Sequence, residues 1–181
     1  VVIKSKNFIY TKASKMKRKL PYTAKISQEQ HEEYSFVSNP IFLITSEDIK
    51  KSKEVTRRKL GNIKTANWFV PNFDHINFGG IFTIFRFIEK LSIEGVNNRI
   101  IIYDYPGFDI DKLKEDIAER FPRLRDYEVI VYDNAVQTLE DLPACDIAFC
   151  TFWISAYLLL KFNKTKRKYY FIQDYEPLFY A

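Results

Sequence analysis

Cysteine, histidine, methionine and glycine are all scarce in this sequence, and each scarcity closes off a class of chemistry. The two cysteines, Cys145 and Cys150, stand five residues apart. In an extended segment that spacing separates them by about 16 Å on opposite faces, too far for a disulfide. Reduced thiols suit a cytoplasmic protein. The only histidines are His31 and His75, so metal-ligand spacing is missing and no metal is expected. Five glycines make neither a P-loop nor a G-x-G-x-x-G fingerprint. The apolar stretch near the N-terminus is short and broken by lysine, so neither a signal peptide nor a transmembrane helix is expected there. The chain starts at Val1, and its one Met is Met16. It stops on the aromatic run Leu178-Phe179-Tyr180-Ala181, and is read as a piece of a longer protein.

What is present is a core-forming composition. Of 181 residues, 46% are hydrophobic and 17% aromatic, which is not a disordered composition. The length suits one domain plus an appendage. Charge divides the chain. Residues 1–60 carry 14 Lys/Arg against 6 Asp/Glu, net +8, whereas residues 61–181 carry 14 against 17, net −3. Eight basic residues lie between Lys4 and Lys25, before the first acid, Glu29. Such a run is a solvated arm, or else it attracts anionic lipid or an acidic protein face. A peripheral membrane contact through residues 1–25 is therefore one expectation. Nucleic acid is not expected, because no recognition motif accompanies the charge.

Residues 1–40 lack sustained periodicity and read as an irregular arm with scattered aromatic anchors. Thr45-Ser46-Glu47-Asp48 reads as a helix start, with the helix continuing to about Leu60 and ending at Gly61-Asn62. A regular alternation follows: a strand at Trp68–Val70, a helix over Ile81–Glu94, a strand over Arg99–Asp104 and a helix over Asp109–Phe121. A strand over Glu128–Asp133 and a short helical turn near Thr138–Leu142 come next. The pattern closes with a strand over Cys145–Cys150, a helix over Phe152–Phe162 and a strand over Lys168–Gln173. The spacing thus predicts an α/β fold, a Rossmann-like, mostly parallel sheet flanked by helices. The expected division is a basic extension with its helix over 1–62 and the Rossmann-like domain over 63–181.

Ligands of open parallel sheets bind outside the carboxyl ends of the strands. That rule selects the loops after each strand, and polar groups collect there. Gly79-Gly80 open a helix, where backbone N–H groups can approach an anion such as a diphosphate. The same glycines would also serve merely to make the turn. His75 and Asn77 lie in that loop. Thr151 and Trp153 follow the fourth strand, and Asp174 and Glu176 follow the fifth. His75 is a candidate donor or base, Trp153 a stacking surface, and Asp174 and Glu176 partners for sugar hydroxyls. For each the alternative is a plain loop or core role.

Three segments carry a family resemblance. Trp68-Phe69-Val70-Pro71 with Gly79-Gly80-Ile81-Phe82-Thr83-Ile84-Phe85-Arg86 resembles the opening of a bacterial rhamnosyltransferase family among the group-1, retaining glycosyltransferases of S-layer and other surface polysaccharides. Asp146-Ile147-Ala148-Phe149-Cys150-Thr151-Phe152-Trp153 resembles the fourth strand and following helix start. Tyr170-Phe171-Ile172-Gln173-Asp174-Tyr175-Glu176-Pro177-Leu178-Phe179-Tyr180 resembles the closing motif and is the most specific match. The resemblance implies the N-terminal half of a GT-B enzyme. This half would hold the acceptor glycan, and a C-terminal domain, absent from this chain, the nucleotide-sugar. It implies a donor such as dTDP-rhamnose, no cofactor and no metal. Gly79 and Gly80 would face the donor diphosphate, while His75, Asn77, Thr151, Trp153, Asp174 and Glu176 would line the acceptor side. Work in the cytoplasm, at the inner membrane face, would fit. A non-catalytic sugar- or nucleotide-binding module and a membrane- or partner-docking protein are the alternatives.

Overall fold

The computed structural model describes residues 42–103 and 105–173. The arm expected over residues 1–40, its membrane contact, and the candidates Asp174 and Glu176 lie outside the described residues. A compact unit begins at Leu43.

Helix α1 (Ser46–Thr56) starts where the sequence places it. The Thr45 hydroxyl accepts from the Asp48 N–H at 3.1 Å, and the Asp48 carboxylate accepts from the Thr45 N–H at 2.9 Å. This reciprocal pair satisfies two of the free amides at the helix end. It also holds the Asp48 carboxyl below its ordinary range, mainly through the Thr45 hydroxyl. The helix stops at Thr56, four residues short of the expected Leu60. The cause is tertiary. The Arg58 guanidinium donates to the carbonyls of Asn163 and Thr165 at 2.7 and 2.8 Å, and its own carbonyl accepts from Arg167 at 2.6 Å. Those bonds take the chain out of the helix before glycine is reached.

The remaining elements alternate as expected: β1 (Thr65–Val70), α2 (Gly79–Ile93), β2 (Asn97–Tyr103), α3 (Ile110–Arg120), β3 (Tyr127–Tyr132), β4 (Ile147–Cys150), α4 (Trp153–Lys161) and β5 (Arg167–Tyr170). Boundaries differ from the sequence reading by a few residues, with β1 starting earlier and β4 and β5 shorter. Gly95, at φ +83°, follows the end of α2 in the left-handed conformation that glycine adopts without penalty. The segment 138–142 is only a turn: the Thr138 N–H and hydroxyl both donate to Asp141, and Pro143 follows.

All five strands are parallel, in the order β3-β2-β1-β4-β5. The fold is a Rossmann-like α/β sheet. Side chains alternate across it. Ala66, Trp68, Val70, Ile100 and Ile102 pack with Ile84, Phe85 and Ile88 of α2 and Leu113 and Ile117 of α3, all buried. Phe69 points to the other face, where its ring meets Phe162 at 5.5 Å beside α4. The run of isoleucines in β2 follows from this, because that strand is covered on both faces. Cys145 and Cys150 are buried and form no disulfide, and burial pushes the Cys145 thiol up to about 11.

Two buried asparagines align the central strands. Asn98 of β2 accepts from the Trp68 indole N–H at 3.0 Å and donates to the Val96 carbonyl at 2.8 Å. Asn67 of β1 donates to the Pro143 carbonyl at 2.9 Å. Buried amides cost little when paired in this way.

Candidate ligand-binding edge

The strand order reverses between β1 and β4. Chain leaves β1 toward β2 on one side and leaves β4 toward β5 on the other, so a crevice opens at the carboxyl ends of β1 and β4. Three loops meet there.

The first follows β1. Ile76, 2% exposed, is its anchor in the core, and the neighbours His75 and Asn77 are held out in solvent. The His75 ring stands edge-on to Phe78 at 5.5 Å. Phe78 caps α2 with no side-chain hydrogen bond, so Gly79 and Gly80 open the helix with their backbone exposed. A Cβ on Gly79 would meet nothing within 4 Å.

The second loop follows β4, and its polar groups are turned inward. The Thr151 hydroxyl, on a residue 3% exposed, donates to the Phe69 carbonyl at 2.9 Å. Fully buried Ser155 accepts from the N–H groups of Thr151 and Phe152 at 3.2 and 3.1 Å and donates to the Phe152 carbonyl at 2.7 Å. One hydroxyl thus ties the start of α4 to the end of β4. Trp153, half-buried, opens α4 with its ring 5.9 Å from Phe152 and 6.3 Å from Tyr157.

The third loop follows β5. The Gln173 side-chain amide donates to the Thr151 carbonyl at 3.1 Å. Its Oε1 lies 2.5 Å from where a Cβ on Gly80 would stand. Gly80 therefore lacks a side chain where the amide of β5's loop lies over the first turn of α2. The packing role of the glycine pair falls to Gly80, and Gly79 is left open to solvent.

Of the residues expected from sequence, Gly80 and Thr151 are brought together through Gln173. His75, Asn77 and Gly79 share the exposed rim of the first loop. Gln173 and Ser155 were not singled out. Gln173 stood inside the most specific of the three resemblance segments. Ser155 stands three residues into the helix from Phe152, a spacing at which a serine can cap.

Strongly shifted ionisable groups hold the fold elsewhere. Asp146 precedes β4 at the amino edge and accepts from the N–H groups of Lys64 and Thr65 and from Lys166 Nζ at 2.6 Å. These donors, the lysine first, hold its carboxyl down to about 2. Lys168 of β5 is brought down to about 8 by burial and by nearby Arg58. Among the described residues no three His, Cys, Asp or Glu side chains converge as metal ligands, and no helix is long and apolar enough to cross a membrane.

Fold and edge together define a Rossmann-like α/β domain whose strand order reverses between β1 and β4, the place where open parallel sheets bind ligands. The chain is similar to the O-antigen biosynthesis protein RfbC of Myxococcus xanthus, with 36% identity over 141 residues. That match covers 76% of this chain and 11% of the relative, so the chain spans about a tenth of the relative's length. No family model and no solved structure matches.

Proposed function

We propose that this chain is the N-terminal, acceptor-side domain of a retaining GT-B glycosyltransferase that adds a sugar, rhamnose from dTDP-rhamnose, to a growing cell-surface glycan. The observation that carries the reading is the convergence of the loops after β1, β4 and β5 on the Gly80–Gln173–Thr151 contact at the strand reversal. Similarity to a protein named for O-antigen biosynthesis supports the direction of the chemistry.

In this reading a second domain supplies the nucleotide-sugar, and the exposed amides at the start of α2 face its diphosphate. No metal takes part. His75, Asn77 and Trp153 border the acceptor glycan, joined by Asp174 and Glu176. Thr151 acts through its backbone, since its hydroxyl is bound to Phe69. A binding edge of this kind contributes by fixing the acceptor relative to the donor, where alignment alone lowers a barrier substantially.

The test is sugar transfer by the longer protein carrying Gly79→Ala. Among the described residues the new methyl group meets nothing beyond its own turn within 4 Å, so a loss of turnover in a stably folded variant reports a ligand approaching Gly79. Undiminished transfer would remove the diphosphate role. Glycan binding by the longer protein with no transfer would replace the enzyme reading with a non-catalytic binding module.

A further inference from the structure

The loop after β2 carries an aromatic side chain that the fold does not need for its core. Tyr105 is 45% exposed, at the same carboxyl edge as the crevice. Its ring stands edge-on to Phe108 at 6.3 Å, Phe108 meets Phe73 at 5.4 Å, and Phe73 meets the fully buried Phe85 of α2 at 5.9 Å. A chain of rings thus runs from the core to the surface, and it joins the loop after β2 to the loop after β1. That second loop presents Asn72, Asp74, His75 and Asn77 to solvent, a set of short hydrogen-bonding groups.

An exposed flat ring set edge-on to Phe108, on an edge where the loop after β1 exposes amide, carboxylate and imidazole groups, is chemistry that recognises a pyranose. The ring face is electron-rich and attracts the polarised C–H groups on the apolar face of a sugar. Polar side chains of the loop after β1 take the hydroxyls. A purely apolar partner would leave those polar groups unsatisfied.

We propose that Tyr105 is the stacking platform for a pyranose unit of the acceptor glycan, resting on the acceptor-side reading given above. The platform positions one sugar of the glycan along the carboxyl edge, on the β2 side of the crevice.

The experiment measures binding of the source organism's surface polysaccharide, freed of lipid by mild acid, to the full chain by saturation-transfer NMR and titration. Variants are Tyr105→Phe, Tyr105→Leu and Tyr105→Ala, with thermal melting as the folding control. Stacking predicts that Tyr105→Phe binds as the wild type does. It predicts about fivefold weaker binding or worse for Tyr105→Leu and Tyr105→Ala, as expected when an aromatic face is lost. Tyr105→Leu keeps apolar packing on Phe108, so it preserves the test if Tyr105→Ala melts early. Equal binding by all variants overturns the platform, and so does loss in Tyr105→Phe, which would assign the hydroxyl instead. A wild-type chain that binds no polysaccharide overturns the acceptor-side reading itself and the platform with it.

Discussion

The side-chain amide of Gln173 lies over Gly80, with its oxygen 2.5 Å from the position a β-carbon would take and its nitrogen 3.1 Å from the Thr151 carbonyl. Any side chain at position 80 must push that amide away. The displaced group is the end of a flexible chain, so the cost is the lost hydrogen bond, about 1 kcal/mol. The gain in helix propensity from Gly to Ala is of similar size. Gly80→Ala is therefore expected to fall within about 1 kcal/mol of the wild type in urea unfolding. Its signature is coupling: once Gln173→Ala has removed the amide, Gly80→Ala should stabilise the protein. Additive effects of the two changes would refute the contact.

Ser155 should matter more than any single group at the rim. Its hydroxyl accepts from two backbone N–H groups and is fully buried. Ser155→Ala leaves both donors without that acceptor, at a cost of about 1–3 kcal/mol. Loss of glycan binding should accompany it, because Thr151 and Trp153 are placed by this bond. A variant with an unchanged denaturation midpoint would show that water replaces the hydroxyl.

Much of the fold was legible in the sequence, because parallel strands covered on both faces leave runs such as Ile100-Ile101-Ile102 and because caps such as Thr45 and Gly95 act locally. The early end of α1 was not legible. It depends on Arg58 reaching carbonyls more than a hundred residues away, which no local pattern encodes. The edge was legible in part for the same reason. A parallel sheet gathers the loops after its strands at one edge, so the position of Gly80 and Thr151 at that edge could be read from sequence. Which atoms of those residues face outward depends on the tertiary bonds of Phe69, Ser155 and Gln173. A threonine hydroxyl turned inward and one turned to a ligand are identical in sequence.

Asp146 makes the fold sensitive to acid. Its carboxyl sits at about 2, below the ordinary 3.8, because Lys166 and two backbone N–H groups favour the charged form. A lowered carboxyl adds stability that is fully present above 3.8 and is lost as pH falls toward 2. Asp146→Asn should cost about 2 kcal/mol at pH 6. The gap to the wild type should narrow at pH 3. A gap independent of pH would assign the effect to packing rather than charge.

Lys168 acts at the alkaline end, where its effect on stability also rises with pH. Its Nζ is enclosed by the Ser52 hydroxyl at 3.1 Å, the Leu160 carbonyl at 2.7 Å and Asn163 Oδ1 at 3.1 Å, between α1 and α4. Burial, with a smaller contribution from Arg58, brings it down to about 8 from 10.5. The folded protein then releases this proton more readily than the unfolded chain does. Between pH 8 and 10.5 the unfolded state binds more protons at this position, so the lysine's contribution to stability rises with pH across that window. Below pH 8 the ammonium is charged in both states, and the burial penalty is carried in full. Lys168→Met removes the titrating group while keeping its length. Unfolding measured at pH 7.5 and pH 9.5 should show the wild type gaining relative to Lys168→Met as pH increases. A parallel response in the two proteins would mean that the ammonium's three oxygen partners fully offset its burial.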